Sequence, residues 1–272
     1  MKRTFSYLLM LVAAVSYCAF LTSCSDDPEA APAETGSVKI KIDNVVGSKD
    51  LTLDSETYTN AAGEPFTVSK LNYFISNIKF ISANGANFTV PQDSSYFLIR
   101  EGNAASQQIT INNVPTGNYS GVEFIIGIDS LRSVSDASKR KGVLDKDAGP
   151  TNEEAMYWDW NPGYIFVKLE GKSDSATSAN GSFYYHIGGF GGLIEKTLNN
   201  IRSAKIDFGS QIATVSENAS TQINLKADIL KVFNGPTTLS IKKNTSVMFM
   251  PFSTNIADNY VHMFSLDGIS NN

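Results

Sequence analysis

The stretch 66–81, which reads FTVSKLNYFISNIKFI, decides the fold. Large apolar side chains recur through it at short intervals: Leu71, Tyr73, Ile75, Ile78 and Phe80. Aromatic and β-branched residues that alternate with polar ones are typical of a β-strand with one buried face. Asn77 interrupts the run, and we expect a bend or a bulge there. The stretch therefore predicts a strand that packs one face into a core.

Similar stretches follow one another along the chain, with turn residues between them. They are 38–42, 107–112, 119–128, 163–171, 182–190, 201–208, 221–225 and 238–241. Helical patterns are confined to two short stretches, 227–233 and 255–263, and the polar stretch 130–154 predicts a long irregular loop. We therefore predict an all-β fold, namely an antiparallel β-sandwich with long irregular loops and at most short helices.

The N-terminus has the layout of a bacterial lipoprotein signal. A basic start, an apolar run over 7–21 and small residues lead up to Cys24. The run is shorter than the roughly 20 apolar residues of a membrane-spanning helix, and small residues at its end are typical of a cleavage site. We predict a lipoprotein signal peptide over 1–23, a lipid on Cys24 that attaches the chain to the membrane, and a flexible acidic tether over 24–36.

The acidic residues directly after Cys24 resemble the surface-export signal of Bacteroidota lipoproteins. A short acidic run is also common in plain solvated tethers. We therefore expect an outer membrane lipoprotein whose domain faces either the periplasm or the cell surface.

The composition of the mature domain excludes several classes of function. The chain has two cysteines; Cys18 lies in the signal peptide and Cys24 is consumed by lipid. Without another thiol, the domain has no disulfide, no cysteine-ligated zinc and no iron–sulfur cluster. The net charge of −5 and the isoelectric point near 5.1 give no basic surface for nucleic acid.

Both tryptophans of the chain lie in the segment 156–164, which reads MYWDWNPGY. Residues two apart in an extended segment share one face, so Trp158 and Trp160 can form an aromatic wall beside a pocket. Large aromatic side chains also dominate burial, and the same pair can cap the core instead. The residues alone leave both interpretations open.

The longer stretch 156–171, MYWDWNPGYIFVKLEG, resembles the central motif of the MbnP-like family. Other segments resemble the family in the same order along the chain: 60–63 (NAAG), 71–78 (LNYFISNI), 115–119 (PTGNY), 124–129 (FIIGID), 185–188 (YHIG) and 261–267 (VHMFSLD). Together they extend over 38–267, nearly all of the mature chain. The resemblance implies an MbnP-like β-sandwich domain over 37–272.

The same resemblance implies a function in the cell envelope. The family is similar to periplasmic copper-binding proteins, so the expected role is to bind a metal ion, with copper as the expected metal. Some members work beside a di-haem cytochrome c peroxidase-like protein that oxidises a tryptophan to kynurenine at the copper site. By this resemblance we expect a redox partner of that kind and a protein that is not itself an enzyme.

Two imidazoles of the mature domain, His186 and His262, lie in segments that resemble the family. Copper prefers imidazole, and Cu(I) also accepts thioether sulfur. The predicted metal ligands are His186, His262, Met156, Trp158 and Trp160. A lone histidine can also be a hydrogen-bonded structural residue, and a methionine can simply fill a core. The region 44–51 lacks the histidines that copper-binding members carry there.

A second hypothesis is a surface module that binds glycans or proteins, with Trp158 and Trp160 as a stacking platform. Convergence of His186 with the tryptophans and a second soft ligand would favour the metal, whereas two coplanar exposed indoles would favour a glycan. We find no serine–histidine–acid spacing that indicates an enzyme. The run Gly188–Gly192 predicts a tight turn after the strand that carries His186.

Overall fold

The structure is a computed structural model, and it describes residues 34–146, 155–161, 163–217 and 219–271. The signal peptide, Cys24 and the tether up to residue 33 lie outside the described residues. The first strand already begins at Thr35, so the last two residues of the predicted tether belong to a sheet. Contacts along the chain place Ala33–Asn272 in one unit.

Strands make up most of the regular structure. They are β1 (Thr35–Val46), β2 (Lys49–Asp50), β3 (Tyr58–Thr59), β4 (Pro65–Ser82), β5 (Phe88–Thr89), β6 (Tyr96–Arg100), β7 (Gln108–Pro115), β8 (Gly117–Ile126), β9 (Tyr157–Trp158), β10 (Gly163–Lys172), β11 (Ser182–Gly188), β12 (Arg202–Asp207), β13 (Ala213–Val215), β14 (Ser220–Asp228), β15 (Ser246–Val247) and β16 (Phe264–Asn271). The helices are short: α1 (Ser130–Ser133), α2 (Leu230–Phe233) and α3 (Ser253–Tyr260). The all-β prediction with short helices is confirmed.

The smaller sheet contains one pairing that departs from the antiparallel prediction. Its order is β16-β14-β1, with β7 and β2 on the far side of β1. The strands β1 and β14 run parallel, with Val38 opposite Thr221 and Val45 opposite Asp228. Parallel neighbours require a long connection, and here most of the chain lies between the two strands.

The larger sheet is organised around β4. This strand pairs with β10 through its first half, with β8 through its second half and with β6 near its middle. Asn77 has a φ of 54°, and the register with β8 shifts between Ser76 and Lys79. The predicted irregularity at Asn77 is therefore confirmed as a bulge. It lies in the half of β4 that pairs with β8, beyond the half that pairs with β10.

The main core lies between the two sheets. Alternate residues of β1 point into it, with Val38, Ile40 and Ile42 almost fully buried. They meet the apolar face of the larger sheet, which includes Tyr73 and Leu169. Burying each such side chain contributes about 1.5–3 kcal/mol to the free energy of folding, and this burial holds the two sheets together.

A second apolar layer covers the outer face of the larger sheet. Its buried members are Phe74, Leu98, Ile128, Leu144, Met156, Trp158, Tyr164, Ile165 and Phe166. The stretch predicted as an irregular loop, 130–154, supplies part of this cover through α1 and short 3-10 turns in its described portion. Arg132 holds it to the sheet, because its guanidinium donates to Asp93 and lies over the ring of Tyr96.

One predicted strand is wrong. Residues 238–241 form an isolated bridge at Thr238 and then a turn. The carboxylate of Glu64 accepts hydrogen bonds from the backbone N–H groups of Ile241 and Lys242, which a strand would need for its ladder. No helix in the described part of the chain is long and apolar enough to cross a membrane.

Candidate metal and aromatic site

The hairpin of β10 and β11 positions the first group of candidate residues. Phe183, Tyr185 and Ile187 point into the main core, so the alternation of the strand places Tyr184 and His186 on the outer face. On β10 the same alternation places Lys168 and Glu170 outward, because Val167 and Leu169 are core residues. The register sets Lys168 opposite His186 and Glu170 opposite Tyr184, so Glu170 and His186 are diagonal neighbours.

His186 and Glu170 form a half-buried pair. The distance from His186 Nε2 to Glu170 Oε1 is 2.7 Å, and the two side chains are 15% and 17% exposed. Burial opposes ionisation of Glu170, but the hydrogen bond from His186 and the charges of His186, Lys70 and Lys168 outweigh it and lower the pKa of this carboxyl. The imidazole of His186 is therefore hydrogen-bonded to Glu170. This is the arrangement expected if the histidine were a structural residue.

Trp158, at the end of β9, packs against the same outer face of β11. It is 5% exposed and belongs to the outer apolar layer. A Cβ on Gly188 would stand 2.8 Å from Trp158 Cζ3 and 2.3 Å from the carbonyl oxygen of Tyr164. Gly188 follows His186 by two residues, so the glycine makes room for the indole on the strand face that carries the imidazole.

The edge of Trp158 that meets Gly188 is the edge of its six-membered ring, because the atoms there are Cζ3 and Cη2. The pyrrole edge, with Nε1, lies at the other side of the ring. A donor created at that edge by oxidation of the indole would therefore not sit at the Gly188 contact.

Trp160 has a different environment from Trp158. Strand β9 ends at Trp158, and Trp160 lies in the turn that leads to β10, where it is 65% exposed. The two ring centroids are 5.5 Å apart and the planes are tilted by 47°. Because one indole is buried and the rings are not coplanar, the pair does not have the geometry expected of a two-ring stacking platform.

A small cavity of about 130 Å³ lies beside Trp158. Phe190, Phe249 and Thr197 contribute to its walls, and the ring of Phe249 stands 6.2 Å from that of Trp158. The tight turn predicted at Gly188–Gly192 is wrong: Gly188 ends β11, Gly189 and Gly191 continue in backbone hydrogen bonds with Asn200 and Leu198, and the chain bends only at residues 193–195. Gly189, Gly191 and Gly192 have φ values of 115°, 94° and 81°. A side chain at Gly192 would collide with the carbonyl oxygen of Glu195, so the loop needs glycine there.

The other two predicted ligands are Met156 and His262. Met156 is buried in the outer apolar layer, which is the core-filling role that a methionine often has. His262 is exposed, directly after α3, where its N–H donates to the carbonyl of Asn259. Among the described residues, no hydrogen bond or ring contact joins His262 to His186. His186 and Trp158 therefore share one face, whereas no hydrogen bond or ring contact within the described ranges joins His262 to either of them.

His186 can offer one ring nitrogen, Nδ1, to a copper ion. Nε2 is engaged by Glu170, and Nδ1 makes no hydrogen bond to the residues that the structure describes. Imidazole is a copper ligand, and a ligating histidine commonly has a carboxylate on its other nitrogen. In the described ranges, no group of three or more histidine, cysteine, aspartate or glutamate side chains could hold a metal ion. Within those ranges, His186 is thus a candidate ligand without a cluster of other histidine, cysteine or carboxylate ligands around it.

Two residues of this face are absent from the predicted ligand set. Glu170 lies near the end of the predicted strand 163–171, and Gly188 lies in the run that predicted a turn. The signal that pairs Glu170 with His186 is the alternation of the two predicted strands, once their hairpin register is known. The register from Val167–Ile187 to Lys172–Ser182 runs unshifted from the loop 173–181, so the conformation of that loop sets it, and the sequence does not specify this conformation.

Comparisons with known proteins agree with this fold. A family model described as MbnP matches residues 35–250. Among solved structures, MbnP from Methylosinus trichosporium covers 88% of this chain and 99% of its own length, with 13% sequence identity and a TM-score of 0.53. At that identity the structural likeness shows the fold alone. No curated protein matches the chain.

Proposed function

This chain belongs to the MbnP family, and from that membership we propose that it binds copper in the cell envelope, with His186 as the principal ligand. The observation that carries the proposal is the position of His186. Its imidazole is half-buried on the face of β11 that also holds Trp158, and one ring nitrogen makes no hydrogen bond to the described residues. Bound copper would supply a redox-active cation at this face.

The ligand set proposed here is narrower than the one predicted from the sequence. His262 is exposed in the turn after α3, and Met156 packs in the outer apolar layer. We therefore assign neither of them to the site. Trp158 remains in the proposal as the neighbour of His186, and Trp160 as its exposed companion in the turn.

We further propose that the protein is a binder rather than an enzyme and that it works with a redox partner, a di-haem cytochrome c peroxidase-like protein. The family resemblance of 156–171 supports this partner. The residue we propose for oxidation to kynurenine is Trp158. Hydrogen peroxide, as the oxidant used by the peroxidase-like partner, would be reduced to water as the Cγ–Cδ1 bond of the indole is oxidatively cleaved, and hydrolysis would release Cδ1 as formate. The product has a net mass gain of about 4 Da and carries an aryl amine and a ketone.

The proposed location rests on the N-terminal sequence. The apolar run and the small residues before Cys24 support a lipid anchor on that cysteine. We propose an outer membrane lipoprotein whose domain faces the periplasm or the cell surface.

A copper titration of the purified mature protein in detergent tests the function. We expect about one copper ion per chain, because there is one partly buried imidazole to anchor it. His186→Ala should abolish tight binding, whereas His262→Ala is the matched control and should bind like the unsubstituted protein. Lowering the pH should weaken binding, since a proton competes with the metal for the same nitrogen.

The same protein, isolated from its native host, should be checked by mass spectrometry for the added mass on the peptide that contains Trp158. Equal copper affinity in the His186→Ala and unsubstituted proteins would contradict the proposal, as would a lack of copper uptake by both.

One observation favours the alternative of a surface binding module. Trp160, Leu193 and Ile194 are 65%, 71% and 94% exposed, which is unusual for large apolar side chains. A module of this kind would use Trp160 alone, because Trp158 is buried. Binding to an envelope polysaccharide or protein that is lost in Trp160→Ala, together with absent copper uptake, would favour this alternative.

A further inference from the structure

We propose that Glu170 is a positioning residue that fixes the tautomer of His186, so that the ring proton sits on Nε2 and Nδ1 is the nitrogen offered to a metal. The metal part of this inference rests on the proposed function. The tautomer is a property of the metal-free protein and stands or falls independently.

The hydrogen bond between the two side chains determines where the proton sits. An ionised carboxylate has only acceptor atoms, so the nitrogen that faces Glu170 Oε1 at 2.7 Å must carry the hydrogen. A neutral imidazole with its proton on Nε2 has its lone pair on Nδ1. A glutamate carboxyl is ordinarily ionised at neutral pH, so in this pair it accepts the hydrogen bond.

The fold holds this pair in place from several sides. Both residues lie in regular ladder positions of the β10–β11 hairpin, which fixes their backbones relative to each other. Their side chains are 15% and 17% exposed, so water competes poorly for the hydrogen bond. The ring of Tyr184 stands 6.2 Å from the imidazole at an angle of 80°, which places an aromatic edge beside it.

A carboxylate in this position has a consequence for metal binding. A hydrogen bond to the distal nitrogen orients the ring and makes the ligating nitrogen more basic, and loss of such a partner typically costs about 10–100-fold in metal affinity. Glu170 would therefore act through His186 without touching the ion.

Nuclear magnetic resonance of the metal-free protein, with ¹⁵N-labelled histidine, tests the tautomer directly. We expect His186 to hold its proton on Nε2 almost completely, whereas the exposed His262 shows the mixture of an imidazole in water. Glu170→Gln keeps the shape of the side chain but can accept from or donate to the ring, so His186 should move towards the mixture seen for His262. A proton on Nδ1 of His186 in the unsubstituted protein would overturn the proposal, and so would an unchanged tautomer ratio in Glu170→Gln.

A copper competition titration of the same variants separates this inference from the function. Glu170→Gln should bind about 10–100-fold more weakly than the unsubstituted protein. Glu123→Gln is the control, because it removes a partly exposed sheet carboxylate that pairs with Lys79. A shifted tautomer with unchanged copper affinity would refute the positioning role while leaving the copper function standing. If no variant binds copper, the proposed function fails, and the tautomer measurement still decides the orientation of His186.

Discussion

Replacing Glu64 by glutamine should destabilise the domain, because this buried carboxylate accepts hydrogen bonds that hold the turn at 241–243. Glu64 is 8% exposed, and its oxygens accept hydrogen bonds from Asn60 Nδ2 at 2.8 Å, Ser240 Oγ at 2.7 Å, Ile241 N at 2.6 Å and Lys242 N at 3.1 Å. The turn leads to β15 and to Phe249, which packs against Trp158. Glu64 therefore supports the aromatic site from a distance.

The expected loss of unfolding free energy follows from the hydrogen-bond donors that the glutamine side chain leaves without an acceptor. Glutamine keeps one acceptor oxygen, which can serve Ile241 N and Asn60, and its NH₂ group can donate to Ser240. The backbone N–H of Lys242 then faces another donor, which costs about 1–3 kcal/mol. The other bonds lose their charge assistance, which contributes roughly 1 kcal/mol more. We expect a loss of about 2–4 kcal/mol in the free energy of unfolding.

Urea denaturation followed by circular dichroism measures this loss at neutral pH. Glu56→Gln is the control, because Glu56 makes only an exposed ion pair with Lys49, and it should leave the midpoint unchanged. A Glu64→Gln protein within about 0.5 kcal/mol of the unsubstituted one would refute the reasoning, since that is the scale of an ordinary surface substitution.

The pH dependence gives a second readout of the same carboxyl. Burial opposes ionisation of Glu64, but the hydrogen bonds from Asn60, Ser240, Ile241 and Lys242 outweigh it and lower its pKa. A lowered pKa in the folded state gives stability that is present above the unfolded pKa of about 4.3 and is lost as the pH falls through the folded value. The difference in stability between the unsubstituted protein and the Glu64→Gln variant should therefore shrink in acid.

Two further predictions concern the site and the anchor. Gly188→Ala should lower the free energy of unfolding by about 1–3 kcal/mol or more and shift the tryptophan fluorescence, because the added Cβ would collide with Trp158 and the Tyr164 carbonyl. Gly268→Ala is the matched control, because a Cβ there would have no atom within 4 Å. Equal stability of these two variants would contradict the packing described for Trp158. Cys24→Ser should leave the domain folded but release it from the membrane fraction, because stable attachment depends on acyl chains, and unchanged membrane retention would refute the lipid anchor.

The local pattern of the chain predicts most of the strands. The alternation of Val38, Ile40 and Ile42 predicts β1, and the interruption at Asn77 marks the bulge of β4. The parallel pairing of β1 with β14 is not visible in either strand, because register depends on which distant partner covers the apolar face. The error at 238–241 has a similar cause, since Glu64, far away in the sequence, captures the backbone donors of that turn.

The candidate site could be predicted in part. The sequence singles out His186 and the tryptophan segment, and the fold places His186 and Trp158 on one face. It could not show that Trp160 falls in a turn while Trp158 is buried, because a two-residue spacing indicates a shared face only in extended backbone. Nor could it show that His262 is exposed in the turn after α3, since that depends on how the helix packs.

Pulsed electron paramagnetic resonance of the Cu(II)-loaded protein tests the central claim most directly, because the distal nitrogen of a coordinated imidazole modulates the electron spin echo. We expect the modulation of one imidazole in the unsubstituted protein and in His262→Ala, and its loss in His186→Ala. Modulation that persists in His186→Ala, or that disappears in His262→Ala, would contradict the assignment of His186 as the copper ligand.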